Sequence, residues 1–113
     1  MAEVFALYGA KFPSLHEAVG IMAAEMALKF HRHESLYRGG EYFRAQPKGF
    51  DEMTVEVNWE DSEGYLAEPD YADHSILVFV SNPSDSVKRA LASIERISLL
   101  RTELLEREEP QSD

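Results

Sequence analysis

The side chains able to do chemistry in this chain are carboxylates and histidines, because it has no cysteine. Thiol nucleophiles, disulfides and zinc–thiolate sites are therefore excluded together. His31, His33 and Glu34 crowd into "HRHE", while His16 and His74 stand far off in sequence. A histidine metal site wants residues at i and i+4 on one helix face, or histidines and carboxylates converging from separate elements. The i, i+2 spacing offers neither, and the stretch reads as the solvated end of a helix. Gly39 and Gly40 ahead of Glu41 could let a phosphate approach the backbone beside a metal-holding acid. That chemistry needs a second carboxylate next to the first, and position 42 is tyrosine. No G-x-x-x-x-G-K-[ST] phosphate loop occurs. Ser62, Ser75 and Ser81 lack the context of an activated nucleophile, and the acids after Asn58 lack the alternating spacing of a calcium loop. No enzyme, metal or cofactor is expected.

Charge says more than motif. The chain carries 21 acids against 11 Lys and Arg, a formal net charge of −10. Between Gly49 and Val87 there is no Lys or Arg, yet Asp51, Glu52, Glu56, Glu60, Asp61, Glu63, Glu68, Asp70, Asp73 and Asp85 fall there. Such a field repels phosphate backbones, so direct nucleic-acid binding is not expected, and it attracts a basic protein. No apolar run approaches the roughly 18 residues of a membrane span, and the N-terminus has no leader pattern. A soluble cytoplasmic protein without membrane contact is the expectation.

The elements that must position these residues follow from periodicity. "EVFALY" reads as a buried strand, and Ser14 with Glu17 forms a capping box for a helix from Leu15 to Phe30, its apolar residues at three- and four-residue spacing. "HESLYRGG" reads as a connection and "EYFRAQ" as a strand. In "MTVEVNW" Met53, Val55, Val57 and Trp59 alternate with Thr54, Glu56 and Asn58, the pattern of a half-buried strand, with Trp59 in the core. Residues 60–74 make a long acidic loop, and loops of that length tend to be functional. "SILVFVS" is the most apolar strand. Asn82 is the expected cap and Pro83 the first turn of a second helix whose buried stripe is Val87, Ala90, Leu91, Ile94 and Ile97. A last strand spans Ser98 to Leu105. The expected fold is one α+β domain over 1–106 with a polar tail at 107–113. Its sheet is five-stranded and mostly antiparallel, with two helices on one face, in the order β-α-β-β-β-α-β, a ferredoxin-like variant.

"GGEYF" resembles the glycine–acid loop of diguanylate cyclases, with Tyr42 in place of the second acid. A broader resemblance rests on "LYG", "ESLYRGGEYFR" and "AEPDYADHSILVFV". From about Leu7 to Arg101 the chain is similar to small bacterial immunity proteins of polymorphic-toxin and contact-dependent growth-inhibition systems. The resemblance implies a cytoplasmic inhibitor of one cognate toxin domain, often a nuclease with a basic cleft. It transfers no residue roles. Charge and exposure instead nominate Tyr42, Glu60, Asp61, Glu63, Tyr65, Glu68, Asp70 and Tyr71 as partner contacts, aromatics anchoring and acids steering. The alternative is a ferredoxin-like module, regulatory or binding a small ligand, and homodimeric through its sheet.

Overall fold

The computed structural model describes residues 2–36 and 40–106. Tyr37, Arg38, Gly39 and the tail at 107–113 lie outside the described residues. The chain runs β1 (Ala2–Ala10), α1 (Leu15–Met26), β2 (Phe30–Ser35), β3 (Gly40–Ala45), β4 (Glu52–Val57), a 3-10 turn (Pro69–Tyr71), β5 (Ile76–Ser81), α2 (Asp85–Ser93) and β6 (Ile97–Glu106). The α+β class, the antiparallel sheet and the two helices match expectation. The sheet however has six strands, in the order β2-β3-β4-β5-β1-β6, with every neighbouring pair antiparallel. The five-stranded order is corrected accordingly. Helix α1 carries the chain from β1 to the far edge, four strands meander back, and α2 places β6 on the other side of β1.

The extra strand is β2, and its origin is local. Ser14 Oγ accepts the Glu17 N–H at 3.1 Å, so α1 starts where the capping residues place it. It stops at Met26 because Ala27 turns left-handed, φ 52°, and bonds back to Ala23 O. Phe30 continues the helical spacing of Met26 by coincidence: it begins β2 opposite Ala45 and packs against the core from the sheet. His31 and His33 are strand residues, not a helix terminus. The second helix start also moves. Ser84, not Asn82, is the cap, its Oγ accepting the Val87 N–H at 3.2 Å. Asn82 accepts the Val4 N–H at 2.7 Å and donates to Asp51 at 2.6 Å, tying β1 to the entrance of β4.

Both helices cover one face of the sheet. Ala6, Tyr8, Ala10, Met53, Val55, Ile76, Val78 and Val80 meet Leu15, Ala18, Met22, Val87 and Leu91 there in one cluster. Met53 and Val55 are fully buried as the alternation predicts, but Val57 is exposed and Trp59 lies beyond the strand end, half-buried and outside the cluster. The opposite face was expected to meet solvent in part. Phe5 and Glu52 there are exposed, while Leu7, Thr54, Glu56, Asn58 and Leu77 are buried, so part of the face is covered by something other than a helix. Ala27 offers a direct check on the helix end. A non-glycine residue in the left-handed region costs roughly 1–2 kcal/mol. Ala27→Gly should therefore raise unfolding free energy by about 1 kcal/mol in urea titration, and a decrease would show that the helix end is fixed by other contacts.

Candidate functional site

The segment joining β4 to β5 is the acidic loop, and it folds back on the face without helices. Its neck closes where the Asn58 N–H donates to Ser75 O at 2.8 Å. Residues 59–67 then form a small hairpin: Ala67 N–H donates to Trp59 O, and Asp61 N–H to Tyr65 O, both at 2.8 Å. Asp61 Oδ1 accepts the N–H groups of Glu63 and Tyr65, each at 2.9 Å, which folds the tip around Gly64 at φ 88°. Past the hairpin the chain coils through Pro69–Tyr71, and this coil turns its carbonyls inward.

Those carbonyls converge on one side chain. Asn58 Nδ2 donates to Glu68 O and Tyr71 O at 3.2 Å and to His74 O at 3.3 Å, while its Oδ1 accepts the Glu68 N–H at 2.9 Å. Asn58 is buried, so these groups satisfy one another out of water. A second brace comes from β6. Arg101 bonds the Glu68 carboxylate at 3.2 and 3.4 Å, and its guanidinium lies 6.0 Å from the centroid of the Tyr71 ring. Tyr71 in turn donates its hydroxyl to Leu100 O at 3.4 Å. Hydrogen bonding to Glu68 raises the Arg101 pKa above its ordinary value. The loop end brings the His74 ring over Gly9, where a Cβ would lie 2.6 Å from ring carbons, and Gly9 pairs across the sheet with the buried Leu77.

The nominated contacts separate into groups. Glu60, Glu63, Tyr65 and Asp70 point outward, Tyr65 with 65% of its surface free. Asp61, Glu68 and Tyr71 are half-buried and occupied within the loop. Tyr42 is apart from them, buried on β3 opposite Glu56 and stacked on His33 with centroids 5.3 Å apart. Asn58 and Arg101, which brace the loop, were not nominated. Their signals are a polar residue at the exit of an alternating strand and a cation between apolar positions of another.

A second polar group lies on the helix side of β2 and β3. Glu41 bonds both His16 and Arg32, Arg32 also reaches Glu34, and the Phe43 ring meets His16 edge-on at 5.4 Å. The Arg32 hydrogen bond first, then that of His16, holds the Glu41 carboxyl below its ordinary value against desolvation. His16 is 69% exposed at its side chain, so water screens the group and it is a surface network rather than a catalytic pocket. Among the described residues no three of His, Asp and Glu gather as metal ligands. On the uncovered part of the open face, a groove of about 250 Å³ is lined by Glu52, Thr54, Glu56, Phe79 and Ser81.

The fold thus defines an α+β domain presenting a braced acidic loop. Comparison of the chain with protein-family models, curated proteins and solved structures finds no match. No helix among the described residues is long and apolar enough to cross a membrane.

Two outcomes check the geometry. Asn58→Ala should cost about 2–4 kcal/mol, since it removes the partner of the Glu68 N–H and of the His74 carbonyl, and should speed hydrogen exchange at 60–74 more than in β5. Uniform acceleration would place Asn58 in general stability rather than in the loop. For Glu41, a folded-state value below the unfolded one means stability that is present at neutral pH and lost as pH falls through the folded-state value. Glu41→Gln should lower stability near neutrality but not in strong acid, and an equal loss at both pH values would remove its ionic role.

Proposed function

We propose that this protein is an immunity protein that neutralises a cognate toxin domain by covering it with the acidic loop. The observation that carries the reading is the exposure of Glu60, Glu63 and Asp70 around Tyr65 on a loop braced from within by Asn58 and Arg101. A loop already ordered loses little entropy on binding. Carboxylates at its surface steer a basic partner, and an exposed tyrosine supplies the anchor that charge alone lacks. The partner class that fits best is a nuclease domain, because carboxylates set on a rigid support can occupy a cleft shaped for phosphates. The resemblance of the sequence to immunity proteins points the same way. Inhibition by coverage requires no catalysis, cofactor or metal from this chain, and it operates in the cytoplasm where such a toxin acts. Asp61, Glu68 and Tyr71 serve by holding the loop, and Tyr42 belongs to the sheet face beside it.

The open-face groove beside Phe79 favours the second reading, a ligand-binding or regulatory module. The two are separated by recovery of tagged protein from its native lysate at low and at high salt. A stoichiometric basic partner released by salt supports the inhibitor, whereas recovery of this chain alone turns attention to small molecules in the groove. With the partner in hand, Glu63→Lys together with Asp70→Lys should slow association about ten-fold or more and flatten its dependence on ionic strength. An unchanged association rate would exclude the loop from the interface.

A further inference from the structure

Strand β6 ends the sheet, and among the described residues it has a strand neighbour only in β1. It runs for ten residues without proline or glycine. A free edge of that length is a template for another strand, and proteins usually block such edges with charge. Here Leu99, Leu104 and Leu105 are 56%, 65% and 50% exposed along it. The only charges at its middle are Arg101 and Glu103, of opposite sign.

Their placement decides which strand the edge accepts. Read outward from Thr102, the sequence is self-complementary: Arg101 answers Glu103, and beyond them leucines, Leu99 and Leu100, answer leucines, Leu104 and Leu105. Two antiparallel copies related by a two-fold axis through the sheet must set one residue opposite itself. With Thr102 on the axis, Arg101 of each copy faces Glu103 of the other, twice, on the open face. With Arg101 or Glu103 on the axis, like charges face each other. With Leu100 or Leu104 there, a charge faces a leucine in both copies. The irregularity at Leu100, where the β1 register shifts, moves the pairing of the leucines by one residue. Arg101 and Leu100 both take the open face, so Leu104 meets Leu99 of the other copy on the helix face. Leu105 then lies beside Leu100 of the other copy on the open face.

The geometry points to a homodimer in which β6 pairs with β6 of a second copy, Thr102 on the axis, doubling the six-stranded sheet. Within one chain Arg101 already bonds Glu103 at 3.3 Å as well as Glu68; this register keeps each arginine facing a carboxylate of the second copy, where the others set like charges together or a charge against a leucine, which makes the device selective. It holds whether or not the acidic loop binds a toxin, because the loop acids that would meet the partner are not on this edge.

Sedimentation equilibrium of the purified full chain, with two substitutions, tests it. The wild type should sediment at twice the chain mass. Glu103→Arg changes an exposed side chain and sets arginine against arginine twice, so it should weaken self-association about ten-fold or more. Thr102→Cys is the only thiol in a cysteine-free chain, and residues opposite across such a pair lie ~4.5–5.5 Å apart, within reach of a disulfide. It should form a covalent dimer under mild oxidation faster than Glu95→Cys, an exposed control away from the axis. A monomeric wild type up to its solubility limit overturns the proposal. So does a dimer unmoved by Glu103→Arg, or one in which Thr102→Cys cross-links no faster than the control.

Discussion

The side-chain amide of Asn58 gathers three backbone carbonyls and one N–H of the acidic loop, and for the Glu68 N–H and the His74 carbonyl it supplies the partner. A polar group buried without a hydrogen bond costs several times what a satisfied one contributes, so a loop that covers a sheet face is possible only if its inward-facing backbone groups are met. Asparagine offers two donor hydrogens and a separate acceptor oxygen on one short side chain. Aspartate at 58 would turn a lone pair toward three carbonyls, and leucine would meet none of them. The coil at Pro69–Tyr71 and the loop end at His74 are both held by that one side chain.

Why the face needs a loop at all follows from the helix count. Two helices suffice to bury one side of six strands, and here both are spent on the side carrying Tyr8, Met53, Val55 and Val78. Leu7 and Leu77 on the other side are as apolar as any core residue, and each loses roughly 2 kcal/mol if left in water. The acidic segment brings the His74 ring against Gly9, the residue opposite Leu77 in the sheet. Its composition is then a compromise between two demands. Glu68, facing inward, must be neutralised, and Arg101 does so. Glu60, Glu63 and Asp70, facing outward, need nothing and are free to set the field of the surface.

Much of this was legible in the sequence where one residue type has one physical job. Ser14 ahead of an apolar helical stripe, the alternation of Met53 and Val55, and the β-branched run at Ile76–Val80 all point to the element that forms. The β2 strand was hidden because Phe30 satisfies the helical spacing of α1 and the strand alternation of β2 equally well. An alanine in the left-handed region, unlike a glycine, leaves no trace of a helix end. Asn82 misled for a related reason: asparagine caps helices and also bridges strands, and only the three-dimensional position of Val4 and Asp51 decides between them. In the loop, acidity was legible but direction was not. Glu68 and Glu63 are the same residue in sequence, and what separates them is an arginine more than thirty residues away.

Arg101 is the residue in which the two surfaces of the molecule meet. Its backbone belongs to β6, its head group closes on Glu68, and its guanidinium carbon lies 6.0 Å from the centroid of the Tyr71 ring. The hydroxyl of the same tyrosine takes the carbonyl of Leu100, at the point where the register against β1 shifts. A register shift of this kind twists a strand and re-aims its side chains. Here it turns Leu100 and Arg101 to the same face, Leu100 toward Gly9 and Arg101 toward the loop. The loop is thus braced from the edge of the sheet, and the edge is shaped by the residues that brace the loop. In a protein with no disulfide to fix a long connection, that reciprocity does the fixing.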